Sequence, residues 1–440
     1  MGAQKRAQNR TGLYESNAQK YKQRTSDAGI ISTDEMVQRR AQIVKSGMMF
    51  KHPADANPDT LQRKPGAKAF FITKHIITLF NLSFIYIWVV INAPVCSAQS
   101  KEQLMALFEQ NISRVEPDIR EELKKAYARE PGYHISGKVK NQSAPSVLIY
   151  VKGKEWLKWG NTPEPEMAFS VSKSVLSACF GLALKKNLLS SIDETVSLRI
   201  QDSLFLGERH SKITWRHLLE QNSDWSGCLF GYCDWADRPP ETGGQEEWKN
   251  RSLHAPGTRF EYNDVRVNLL AYALTALFQK SLEEVFREEI MNPMGASNNW
   301  SWNGYGHWKN PGDGALIPVV SGGGHFGGGL IISAEDLMKF ALLYANHGKS
   351  SHGQILDSTY IAASIMPSEP EPAYGLLWWN NSTEKWKGLD AGVYSADGFA
   401  GHYIVIHPAH EWMAVLRWIE PQQSAAVLRA IDQAIMTEQP

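Results

Sequence analysis

The stretch that most constrains this 440-residue chain is Met167-Ala168-Phe169-Ser170-Val171-Ser172-Lys173-Ser174-Val175-Leu176. It reads as the opening of a buried helix. Val171, Val175, Ala178 and Leu182 recur at helical spacing and form a core-facing stripe. Ser170, Lys173, Ser177 and Gly181 form a second stripe, small and polar. A chain that buries this helix sets a serine and, one turn on, a lysine on one face of it. The helix N-terminus adds unpaired backbone N–H groups and a partial positive charge beside Ser170. A hydroxyl, an amine and backbone donors are the parts of an acyl-transfer site. Ser-x-x-Lys alone is too common to be specific, so the rest of the chain has to support it.

The length suits two to four domains, or one large catalytic domain with an insertion. Fifteen Trp promise buried or pocket-lining aromatic surface. The net charge of zero hides an asymmetry. Residues 1–74 carry 14 Lys and Arg against 6 Asp and Glu, which leaves 32 against 40 for the remainder. A mildly acidic body lacks the basic footprint of a nucleic-acid binder, so no nucleic-acid partner is expected.

Residues 1–74 have the polar composition of a disordered leader, with Met48 or Met49 as alternative starts. Next comes a 16-residue apolar run, Ile76 to Ile91, and small residues at Cys96 and Ala98. Basic flank, apolar core and small residues make a secretory signal cleaved after Ala98. An uncleaved anchor, giving a membrane tether through residues 76–91, is the alternative, although a span wants about 20 residues. The expected organisation is a leader (1–74), a signal or anchor (75–98) and a catalytic domain (99–440) exported to the periplasm or outside the cell. Cys228 and Cys233 stand five apart in one loop. A bonded pair and two buried thiols both remain open.

From Gln99 to about Arg129 the pattern predicts an amphipathic helix. Ser143–Val151, Lys152–Lys154 and Glu155–Gly160 predict a strand, a turn and a return strand. Thr214 is placed to cap a helix from Trp215. The loop from Ser223 to about Arg251 is long enough to be a lid or a binding wall. Pro256–Asp264 opens a helix whose buried stripe is Val267, Leu270, Leu274 and Leu277, and Asp264 suits its N-cap as well as a site role. Ser321–Gly329 is a glycine-rich bend before a strand at Leu330–Ile332, and Ser333 with Asp336 makes a capping box. Gly398–Pro408 reads as a strand entered through small residues, with Glu411–Ile419 as its hairpin partner.

Across residues 130–420 these pieces make the chain resemble the serine β-lactamase/penicillin-binding-protein superfamily. The match is to its class C-like branch of lactamases, D-Ala-D-Ala peptidases, esterases and amide hydrolases. Ser170–Lys173, Ile213–Leu219, Pro256–Asp264, Gly327–Leu337 and the late glycine-led strand carry it. Each is unspecific alone; five in the family's order are specific. The resemblance implies an α/β (α+β) fold: an antiparallel sheet flanked by helices, joining the early hairpin to the late strands, plus a mostly helical lobe. It implies Ser170 as nucleophile and Lys173 as base or proton shuttle. Tyr262 is then the Y-x-N tyrosine that moves the proton to the leaving group. The backbone N–H groups of Ser170 and His402 would form the oxyanion hole. Asp264, His325, Gly401 and His402 are the candidate substrate contacts. No metal or organic cofactor is called for.

Two departures bear on substrate. Asp264 stands where the family has Asn, which changes the charge around Lys173. Phe399-Ala400-Gly401 is the triplet aligned with K-T-G or H-x-G, so no cation stands where lactamases and peptidases meet a substrate carboxylate. The expectation is therefore a small-molecule ester or amide cleaved through an acyl-enzyme on Ser170. A β-lactamase or D-Ala-D-Ala carboxypeptidase is the alternative within that chemistry. A catalytically silent cell-wall or ligand-binding protein is the alternative outside it.

Overall fold

Pro117 divides the first predicted helix. A residue that precedes proline is pushed out of the helical region, and Asp118 caps a fresh start by accepting the Arg120 N–H at 3.0 Å. The result is α1 (Lys101–Gln110) and α2 (Ile119–Ala126). The computed structural model describes residues 100–438, so the leader and the run 76–91 lie outside the described residues. Among the described residues no helix is long and apolar enough to cross a membrane.

The predicted hairpin is present as β1 (Ser146–Val151) and β2 (Lys154–Gly160). Its turn residues Lys152 and Gly153 have φ of 50° and 75°, which suits a two-residue hairpin. The chain continues through β3 (Glu166–Met167), α3 (Val171–Lys185) and α4 (Trp215–Leu219). The long loop holds a small hairpin, β4 (Cys228–Leu229) and β5 (Tyr232–Cys233), closed by a Cys228–Cys233 disulfide. Then come α5 (Asp264–Phe278), β6 (Ser301–Lys309), β7 (Leu316–Val320), β8 (Gly329–Ile332) and α6 (Ala334–Ala345). β9 (Trp379–Asn380), β10 (Tyr394–Gly398), β11 (His402–His407), β12 (Trp412–Arg417) and α7 (Ser424–Glu438) complete it.

The main sheet has the order β9-β10-β11-β12-β1-β2 and is antiparallel throughout. β1 joins β12 from Ser146↔Arg417 to Val151↔Trp412, so the early hairpin meets the late strands as expected. Alternate residues feed two cores. Val147, Ile149, Trp412, Ala414 and Leu416 pack with Leu104, Phe108, Val427 and Ile431 of α1 and α7. Leu148, Met413 and Val415 belong to the core around α3. A second sheet, β3-β8-β6-β7, carries the glycine bend.

One sequence reading changes here. The late strand is two, β10 and β11, with Phe399-Ala400-Gly401 as the turn between them. Gly401 has φ 84°, and a Cβ on it would fall 1.6 Å from the Ile419 carbonyl oxygen; a tight turn and close chain approach account for it. The polar stripe of α3 is buried with the rest of the helix, as the sequence led one to expect. Every residue from Val171 to Ala183 is buried, and Ser177 Oγ lies 2.8 Å from the Tyr360 hydroxyl.

Candidate active site

β3 enters α3 through Phe169, whose φ of 48° is left-handed. A bulky residue pays for that conformation. Its ring is held edge-on by Phe399, His402 and Trp418, with centroids 5.5, 5.2 and 6.1 Å away. This turn delivers Ser170 to the head of α3, where its side chain does not cap the helix. Instead Lys173 Nζ donates to Ser170 Oγ at 2.8 Å. Among the described residues the Ser170 N–H has no hydrogen-bond partner, and neither has the Phe399 N–H. Gly398 brings those two groups into one neighbourhood: a Cβ on it would fall 2.5 Å from the Ala168 carbonyl oxygen.

Lys173 has a side chain only 2 % exposed, and its Nζ also donates to Asp264 Oδ1 at 2.8 Å. Nζ stands 4.7 Å from the centroid of the Tyr262 ring. Tyr262 itself stacks on Trp379 at 5.9 Å. The N-cap of α5 is Asn263, which accepts the Arg266 N–H at 3.1 Å. Asp264 is thereby the first helical residue and free to face α3. Gly323 closes the site from the glycine bend. A Cβ there would sit 1.9 Å from Asp264 Oδ1 and 2.2 Å from Lys173 Nζ.

Behind this pair the long loop supplies charge. Arg238 Nη1 lies 2.7 Å from Asp264 Oδ2 and 2.5 Å from Asp237 Oδ1. Asp237 also accepts the N–H groups of Asp264 and Val265. Burial works to raise the Asp264 carboxyl, but Lys173 and Arg238 outweigh it and hold it well below the usual carboxylate range. Burial pushes Asp237 up to about 6 against the pull of Arg238. His325 Nδ1 accepts from Arg238 Nη2 at 3.0 Å, so its proton is on Nε2, which donates to Glu130 Oε2 at 2.7 Å. Burial holds His325 neutral and raises Glu130 to about 8.

Ser170, Lys173, Tyr262 and Asp264 come together, whereas the other candidates do not join them. His325 is 3 % exposed and lies behind Asp264. The His402 ring packs against Phe169 and Trp418, and its Nδ1–H donates to the Phe399 carbonyl at 2.9 Å. Burial depresses it to about 3, so it is a neutral brace of the 399–401 turn. The part of the late strands against α3 is Ala396-Asp397-Gly398 rather than Phe399-Ala400-Gly401. Asp237, Arg238, Gly323, Lys385 and Asp397 were missed. The loop length was the only signal for the first two.

Among the described residues two groups could gather a metal. Glu130, Asp237 and His325 converge, but the Arg238 guanidinium lies against the last two and makes a cation unfavourable. His407, His410 and Asp432 also converge. There Asp432 Oδ1 is shared by His410 Nδ1 at 2.5 Å and Trp412 Nε1 at 2.8 Å, and the two imidazoles stack at 4.2 Å.

A helix headed by the Ser170–Lys173 pair and set between an antiparallel sheet and a helical region fits a serine-hydrolase class of fold. Residues 134–426 match the Beta-lactamase family, and the chain belongs to that family of serine hydrolases. No curated protein matches it in sequence. In structure it is similar to a protein of Bacteroides dorei DSM 17855 described as a beta-lactamase (TM-score 0.50, 16 % identity, covering 73 % of this chain and 100 % of that one). It is also similar to a protein of Bacillus anthracis described as a 6-aminohexanoate-dimer hydrolase (TM-score 0.50, 15 % identity, covering 77 % and 94 %). These likenesses concern the fold.

Proposed function

We propose that the protein is an exported hydrolase that cleaves an ester or amide bond of a small molecule in two steps. Ser170 attacks the carbonyl and forms an acyl-enzyme, which water then releases as the acid. Lys173, acting as the neutral amine, takes the serine proton and passes it on by way of Tyr262 to the leaving group, while Asp264 balances the ammonium formed in between. The N–H groups of Ser170 and Phe399, rather than that of His402, stabilise the oxyanion; two such donors are worth several kcal/mol. The observation that carries this reading is the 2.8 Å contact between Ser170 Oγ and a buried lysine at a helix N-terminus, beside a free N–H.

A fluorophosphonate probe tests it. Wild type is labelled on Ser170 and Ser170→Ala is not; an unlabelled wild type makes the chain a silent binder. Asp397 beside Gly398 is ion-paired with Lys385, so that pair offers anionic β-lactams and D-Ala-D-Ala peptides no uncompensated cation. Turnover of a p-nitrophenyl ester well above that of a chromogenic cephalosporin is therefore expected. The Cys228–Cys233 bond supports export, because disulfides persist in oxidising compartments. N-terminal sequencing of secreted protein checks cleavage after Ala98.

A further inference from the structure

We propose that Asp397, Trp379 and Trp386 form a subsite for a positively charged group of the substrate, and that the chain's own Lys385 fills it until substrate displaces it. The proposal rests on the hydrolase reading and names its substrate class: esters or amides that carry an ammonium near the scissile carbonyl. Lys385 Nζ donates to Asp397 Oδ2 and stands over two indoles, 4.6 Å from the Trp379 ring and 4.8 Å from the Trp386 ring. A carboxylate with aromatic faces around an ammonium is the chemistry that recognises organic cations.

The cage meets the site through Trp379. Trp379 stacks on Tyr262, whose ring carries Lys173 Nζ. Asp397 lies on the face of β10 opposite Ala396 and the α3 core, paired with Tyr403, so a cationic group would reach it around the strand edge at Trp379. Trp386 is 2 % exposed and Asp397 is held by Ser395 Oγ, which donates to Oδ1 at 2.5 Å. The cage walls are thus fixed by packing and hydrogen bonding. Lys385 comes from a loop whose residues 382–385 are exposed, and a partly solvated lysine pair is weak enough to be displaced. Its positive charge is already answered by Asp397, so what a displaced Lys385 leaves behind is a negative, aromatic-walled site.

The test uses three p-nitrophenyl esters of matched acyl length that end in trimethylammonium, a neutral branched alkyl group or carboxylate. Wild type is expected to favour the cationic ester over the anionic one by about tenfold or more in kcat/KM. Asp397→Asn brings the cation-to-neutral ratio close to one, and Lys385→Ala raises kcat/KM for the cationic ester several-fold by removing the internal competitor. Equal turnover of the three esters, or a preference for the anion, overturns the subsite. Binding is read separately as saturable quenching of tryptophan fluorescence by choline in Lys385→Ala. No saturable quenching overturns the subsite even where Ser170 takes the probe, whereas quenching without Ser170 labelling overturns the hydrolase reading alone.

Discussion

Helix α5 opens with two buried ion clusters, one on each side, and they differ in what they leave unfinished. Arg266 faces the long loop: its Nη2 donates to Asp224 at 3.0 Å and to Asp234 at 3.1 Å, and its Nε donates to the Trp225 carbonyl. Arg251 reaches the same two carboxylates, and the His254 N–H closes on Asp224. Both acids are saturated by donors from their own loop, and the cluster pins that loop to the helix. Asp264, two residues earlier, faces α3. There the lysine it holds keeps a donor aimed at Ser170 Oγ, and a serine N–H stands unused beside it. A closed network fixes structure; one that turns a donor on a serine hydroxyl is arranged for chemistry.

The sharpest way to break this contrast is to remove the two cations in turn. Lys173→Met is expected to lower kcat for an ester by about 10³-fold, with a modest loss of stability because Arg238 still compensates Asp264. Arg266→Met removes one of the two arginines shared by Asp224 and Asp234, leaving Arg251 on both, and is expected to cost about 1–3 kcal/mol in urea unfolding, while surviving folded protein still takes the fluorophosphonate probe. Equal destabilisation by both, with the rate kept in Lys173→Met, would refute the distinction. Gly323→Ala comes next. Its methyl would press on Asp264 and Lys173 together, so an expected rate loss of about 10²-fold accompanies about 1–3 kcal/mol of overpacking. The ester kinetics and a thermal scan check both.

The smallest effect concerns pH and the rear of the Asp264 cluster. Burial raises the Glu130 carboxyl from its ordinary 4.5 to about 8. The folded chain then keeps a proton that the unfolded chain gives up, so this site's stability is greatest below about pH 4.5 and declines as pH rises towards 8. Glu130→Gln resembles the protonated acid and should lose that decline. Thermal scans from pH 6 to 9 should show the variant gaining on wild type. His402 acts with the opposite sign. Burial depresses it to about 3, so its contribution is kept above pH 6.5 and lost as pH falls.

Local patterns carried much of this molecule. The apolar, β-branched run Val147–Val151, the turn at Lys152-Gly153 and the helical spacing after Ser170 are written in neighbouring residues, and the hairpin and α3 formed where they pointed. The Ser170–Lys173 contact was legible for the same reason: three residues on a helix are one turn apart. Pro117 and the 399–401 turn were local as well, but each lay inside a longer apolar pattern that masked it.

What the sequence by itself determined is therefore the early hairpin, the helix at Ser170, the joining of that hairpin to the late strands by resemblance, and the pair that one helix turn brings together. Only the tertiary structure decided which charges surround that pair. Arg238 is 65 residues from Lys173 along the chain and Lys385 is 12 from Asp397, so no periodicity links them. A buried charge is placed by the partners that offset its desolvation, and those partners are chosen in space, after the chain has folded.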